Sequence, residues 1–222
     1  MPVRRAASPW IPLLLLMTVW PCERVHAAVL QGELAPGRRG KPVEVAEAVV
    51  WVERIPERTE QQLARGPRLW FWQRWLGFKP PAPLPPPHVI EVGRRFLPRV
   101  TAAPARSRIV FHNRDQVWHG VFSVTPGNRF ELGKRAPGRV DTLRTGGAGI
   151  VQIRCDIHPD MTGWLVLTPN RAYTRPDARG HWELPELPAG SYVLHAWHPG
   201  RGGLRRAVTL TGRDAAPILL RW

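Results

Sequence analysis

The chain is predicted to be all-β, forming one sandwich over residues 88–170 and a smaller, discontinuous one over 171–222 that residues 28–56 complete. Three observations lead there. Glycine and proline are abundant, no long segment repeats apolar residues at helical spacing, and short alternating runs are separated by turn residues.

Arg4 and Arg5 precede an apolar run from Ile11 to Trp20, and Val25-His26-Ala27 carries small residues where signal peptidase wants them, so residues 1–27 read as a secretory signal peptide. The run is short of the ~20 residues that span a bilayer, and Pro12 interrupts it. Cys22 is expected to be lost with the leader, and the protein to be periplasmic or secreted. About 195 residues then remain, enough for one large domain or two small ones. The net charge of +15 is almost wholly arginine, since lysine occurs only at Lys41, Lys79 and Lys134. Such a charge implies an acidic partner or an anionic lipid surface. Nucleic acid is not an expected partner, because the leader exports the chain and no recognition motif is present.

After the leader, Val29 to Leu34 reads as a strand, a turn runs through Gly40, and Ala46 to Val52 reads as a second strand that stops at Ile55-Pro56. Residues 57–87 form an insert: a polar stretch, an aromatic and arginine segment from Leu69 to Phe78, and a proline run ending at Pro87 that reads as a stiff linker. Two readings of Trp70–Phe78 stay open, a short helix on an anionic membrane surface or aromatics packed over a neighbouring domain.

The larger sandwich begins with strands at His88–Val92, Arg95–Val100 and Arg108–Phe111. A polar turn at Asn113-Arg114-Asp115 leads to Val117–Val124, where alternation places His119, Val121 and Ser123 on one face and Trp118, Phe122 and Val124 on the other. Pro126 to Gly133 and Thr145 to Gly149 read as loop-rich. Val151-Gln152-Ile153-Arg154-Cys155 then alternates, with Val151, Ile153 and Cys155 inward. A seven-residue loop from Cys155 to Met161 separates it from the next strand, Trp164–Leu167. The last part has short strands at Tyr173-Thr174, Trp182–Leu184, Ser191–His198, Ala207–Thr211 and Ile218–Leu220.

Cys155 is the only cysteine after the leader, so no internal disulfide forms even in an oxidising compartment. A lone thiol there is either a buried small hydrophobe or a metal-bound thiolate. Its neighbours favour the second: His158 follows three residues later and Met161 three after that, between two supporting strands, with His119 available from a distant one. Two imidazoles and a thiolate with a weak thioether suit a mononuclear type-1 copper site that exchanges single electrons. Zinc wants a fourth strong ligand or water in place of Met161, and a dinuclear copper centre needs a second cysteine. His112, His195 and His198 are expected to be structural. Neither a serine, histidine and acid arrangement nor a phosphate loop stands out, and no enzymatic activity is expected.

The run Cys155-Asp-Ile-His158-Pro159-Asp-Met161-Thr-Gly163, with His119-Gly120-Val-Phe-Ser upstream, resembles the ligand segments of amicyanin-like blue copper proteins, the cupredoxins. Phe111-His-Asn113-Arg-Asp115, Asn128 to Gly133 and Leu187 to Tyr192 are similar to bacterial proteins of the methylamine utilisation type. The resemblance spans roughly residues 88–200 and implies a Greek-key sandwich with Asn113, Gly120 and Pro159 supporting the loop. It also implies an asparagine after the first histidine that ties the two ligand segments together. Gly120 stands there, so that side-chain brace is missing while the ligand set is intact. The terminal part with the opening strands is similar to carboxypeptidase-regulatory or transthyretin-like modules. The implied function is a blue copper protein carrying electrons between redox partners, with His158 as the exit. Copper delivery without electron transfer, or a metal-free sandwich acting in assembly, are the alternatives.

Overall fold

A computed structural model describes residues 27–35, 45–65, 76, 85–211 and 217–222. Nearly all of the leader, and the Trp70–Phe78 segment except Leu76, lie outside the described residues. The chain opens with β1 (Ala27–Ala28), β2 (Gln31–Ala35), a 3₁₀ turn at Val45–Glu47 and β3 (Val49–Val52), followed by helix α1 (Glu57–Arg65). Next come β4 (His88–Val92), β5 (Arg95–Leu97), β6 (Val100–Pro104), β7 (Arg108–Asn113), β8 (His119–Ser123), β9 (Phe130–Arg135) and β10 (Val140–Arg144). The order continues through β11 (Gly149–Cys155), β12 (Thr162–Thr168), β13 (Tyr173–Thr174), β14 (His181–Glu183) and β15 (Leu187–Pro188). It ends with β16 (Gly190–His198), β17 (Gly202–Leu210) and β18 (Ile218–Arg221).

The all-β class holds, with differences in detail, the first being that the expected strand Arg95–Val100 is split between β5 of one sheet and β6 of the other. Residues 57–65, read from sequence as a polar part of the insert, are a helix. Only Thr59 is buried in it, and Leu63 packs against the smaller core. Its start is set by the Pro56 carbonyl, which accepts from the Thr59 and Glu60 amides. Glu57 and Glu60 in the first turn and Arg65 in the last suit the helix dipole. Part of the expected loop at 126–133 is β9, and Val140–Arg144, to which the sequence pattern assigns no strand, is β10. Both strands are half polar and only partly covered, which hides the alternation. Ala46 and Glu47 belong to the 3₁₀ turn, and the strand after it is shorter than expected.

The larger sandwich packs a sheet ordered β10-β7-β4-β5 against one ordered β6-β12-β11-β8-β9. Strands β8 and β9 pair in one layer while β7 and β10 pair in the other, so the chain crosses between layers and returns, as in a Greek key. Between the layers lie Val89, Phe96, Ile109, Phe111, Val121, Ile153 and Leu165, each at most 1% exposed. In the smaller sandwich β3 lies between β13 and β16, with β17 outermost, and β2 lies between β14 and β18. The opening strands therefore pair with strands beyond residue 172. The two sandwiches meet over Val49, Val100, Ala102 and Val166, where the Trp164 and Trp197 rings cross edge to face at 5.2 Å.

An ionic network crosses the larger sandwich near the end of β8 that carries His119. Arg135 on β9 reaches Glu91 on β4, and both are buried. The same guanidinium donates to the Phe111 carbonyl at 2.8 Å and to the Asp141 carboxylate at 2.9 Å. Hydrogen bonds from Arg139 first, and then from Arg135, hold the Asp141 carboxyl below the usual range. Its folded pKa is below the unfolded one, so it contributes stability that is complete above about pH 4 and fades as pH falls through the folded value. Asp141→Asn is accordingly expected to flatten the acid limb of stability against pH, measured by urea unfolding from pH 6 downward. An acid limb as steep as wild type would contradict this.

Candidate metal centre

Two strands and one loop make the centre. β11 pairs with β8 so that Cys155 lies opposite Val121, at the inward end of its strand. The chain then leaves the sheet for six residues and is recaptured by two backbone bonds, Met161 N–H to the His158 carbonyl at 2.9 Å and Cys155 N–H to the Met161 carbonyl at 3.1 Å. His158 to Met161 is thus a β-turn with Pro159 at its second position, where a fixed φ and a missing amide cost nothing. Pro159 itself is exposed, so its support is conformational.

Three donor atoms converge. His119 Nδ1 lies 3.2 Å from His158 Nδ1, and Cys155 Sγ lies 3.8 Å from the first and 3.6 Å from the second. Bonds of roughly 2.0–2.3 Å from nitrogen and sulfur to one ion at the centre of a plane would set donors about 3.5–4 Å apart. The triangle in the protein is close to that size, and among the described residues it is the one His, Cys and acid cluster able to hold a metal ion. His119 is fully buried and Cys155 nearly so, whereas His158 is half-buried. Met161 is 2% exposed and packs in the same core cluster as Cys155.

The environment prepares these donors. Cys155 Sγ accepts the Gly120 N–H at 3.4 Å, a bond that fixes the sulfur against the strand that carries His119. Gly120 also answers the missing brace, because its carbonyl accepts the Asp156 N–H at 2.9 Å and ties the two ligand segments through backbone. A Cβ at Gly120 would meet the Asp156 carboxylate, the far end of an exposed side chain, which would have to swing aside.

Asp115 is the residue that sequence reasoning missed. Its carboxylate lies 3.2 Å from His119 Nε2. That acceptor assigns the proton to Nε2 and turns the Nδ1 lone pair toward Cys155 and His158. The Arg94 N–H, at 2.8 Å, is the main reason the Asp115 pKa is lowered, followed by the Gln116 N–H and His119. Burial pushes the His119 pKa down, which outweighs the opposing pull of Asp115 and keeps the imidazole neutral. Asn113, fully buried, holds the preceding turn by donating to the Val117 and Arg135 carbonyls, both at 2.9 Å, and by accepting the Asp115 N–H at 3.0 Å. An acid four residues before a candidate ligand, in a turn opened by asparagine, was the available signal.

The remaining histidines take other roles. His195 stacks on Trp51 at 5.2 Å and lies 3.1 Å from a Glu53 oxygen. His198 meets Trp222 edge-on, and His112 accepts from Arg114.

No family model matches the chain, and no curated protein matches it by sequence. Among solved structures it is similar to a purple cupredoxin from Nitrosopumilus maritimus, with 17% identity, 37% of this chain and 99% of that one covered, and a TM-score of 0.34. It is also similar to a reduced amicyanin with a proline-to-phenylalanine substitution, with 19% identity, 37% and 81% coverage and a TM-score of 0.34. A reduced amicyanin with a tryptophan-to-tyrosine substitution is similar at 18% identity, with 37% and 81% coverage and a TM-score of 0.35. These similarities reach little more than a third of the chain, and the donor assignment rests on the geometry above.

Proposed function

We propose that the chain is an exported, non-enzymatic carrier of single electrons that holds one copper ion in a type-1 site made by His119, Cys155, His158 and Met161. The observation that carries this reading is the triangle of two imidazole Nδ1 atoms and one buried thiol sulfur, with Met161 in the same cluster. Bound copper would supply the one-electron redox couple. Cys155 contributes a soft anionic donor on a strand end that cannot drift, and His119 a neutral donor locked by Asp115. Met161 is the weak fourth donor. His158, the donor nearest the surface, is the point where electrons enter and leave. Backbone bonds on both sides of the loop limit its motion, which lowers the reorganisation that electron exchange requires. The partner is a redox protein, and the arginine-rich surface suits one with an acidic face.

Cu(II) added to the protein is expected to produce an intense visible thiolate charge-transfer band, absent in Cys155→Ser. A Cu(II)-loaded protein without colour removes the electron-carrier reading.

A further inference from the structure

The larger sandwich has a second feature at its opposite pole. Along β8 and β9, His119 pairs with Arg135 at the metal end while Ser123 pairs with Phe130 at the other. Along β11, Val151 lies four residues before Cys155, on the order of 13 Å away at strand rise. At this far pole the sheets part around a cavity of about 310 Å³. Core side chains of Val151 and Leu165 form its floor and the half-buried Phe130 and Leu143 form its walls. Arg129 and Arg144 stand at its mouth, and neither forms an ion pair with a described residue. Among the described residues no carboxylate lines it.

The mouth is preformed. Asn128 Oδ1 accepts the Gly146 N–H at 3.0 Å and Asn128 Nδ2 donates to the Gly147 carbonyl at 3.1 Å, clasping the two loops that frame the opening. Thr145, next in the rim, is tied to the Ser107 carbonyl through both its amide and its hydroxyl. A small pocket with an apolar inner part and a rim of fixed polar groups, at the open end of a β-structure, has the character of a ligand site.

We propose that this cavity binds a small monocarboxylate with an apolar body, the body on the Val151, Leu165, Phe130 and Leu143 surface and the carboxylate between Arg129 and Arg144. Removing the apolar body from water supplies the drive, and the two guanidinium groups supply the selectivity for an anion. A neutral alcohol of equal length keeps the first contribution and loses the second. Copper plays no part in this site, so its success or failure is independent of the metal reading.

The test is calorimetric titration of the full chain with octanoate and octanol, below micelle-forming concentrations. Saturable one-to-one binding of octanoate is expected, about thirtyfold tighter than octanol if each of the two exposed ion pairs contributes near the upper end of its usual range. The double variant Arg129→Gln, Arg144→Gln is expected to bring the two ligands to equal affinity, and Leu143→Trp to abolish binding by filling the cavity. Absence of saturable binding, equal affinity of the wild type for both ligands, or full octanoate binding in Leu143→Trp overturns the proposal. Both arginines lie at the surface and pair with no acid among the described residues, so the double variant keeps the fold, and its result stands even if Leu143→Trp does not fold.

Discussion

Glu91→Ala is expected to lower the stability of the larger sandwich by about 3–5 kcal/mol, the usual cost of stripping one partner from a buried ion pair. Arg135 is 1% exposed, and losing Glu91 leaves its guanidinium with Asp141 and two carbonyls but without its one fully buried counter-charge. The pair joins β4 of one sheet to β9 of the other, so the loss acts on the contact between layers. One Glu91 oxygen has no hydrogen-bond partner among the described residues, so the network is short of partners even when intact. The double variant Glu91→Leu, Arg135→Met removes both charges. It is expected to match wild-type stability or exceed it, by up to about 4 kcal/mol. Chemical unfolding followed by near-ultraviolet circular dichroism compares the three. A single variant within about 1 kcal/mol of wild type, the level of an exposed pair, would show that the pair is not desolvated in solution.

Asp115→Ala is expected to weaken copper binding by about 10–100-fold while leaving the fold intact, as loss of the group that orients a ligating histidine commonly does. The carboxylate accepts from His119 Nε2 and is itself held by the Arg94 and Gln116 amides, so it aims the ring without being a ligand. Without it, both tautomers and both ring flips of His119 become available, and Nδ1 faces Cys155 for only part of the time. Asp115→Asn keeps an oxygen acceptor and should lose less. Competition against a chelator of known affinity reads the effect in the loaded protein, and nitrogen chemical shifts of the His119 ring read the tautomer in the metal-free one. Wild-type affinity together with an unchanged ring would show that Asp115 plays no orienting part.

The strands that matter most for the site were legible because one face of each is fully buried. The alternation of His119, Val121 and Ser123 against Trp118, Phe122 and Val124 is the burial pattern observed, as is that of Val151, Ile153 and Cys155. Strands β9 and β10 were not legible, since their inward positions include Arg135 and Asp141, charges that look like solvent-facing residues until a partner such as Glu91 is seen across the core. Helix α1 was missed for a related reason. It owes its place to capping, dipole complementarity and Glu60 accepting the Arg171 amide at 2.8 Å, not to an apolar stripe.

Sequence alone determined the set of candidate donors, because a cysteine, histidine and methionine at three-residue intervals depend on chemistry and spacing that need no third dimension. It also marked Gly120 as the place where a side-chain brace is absent. Only the tertiary structure decided how that absence is met, through backbone bonds from Asp156 and to Cys155 in a space the Asp156 carboxylate has already filled. Only it placed Asp115 against His119 and opened the arginine-rimmed cavity at the far pole. Local pattern encodes which face of a strand is buried, whereas hydrogen-bond partners and cavities depend on which segments meet across a sandwich, and that follows from the packing of the whole chain.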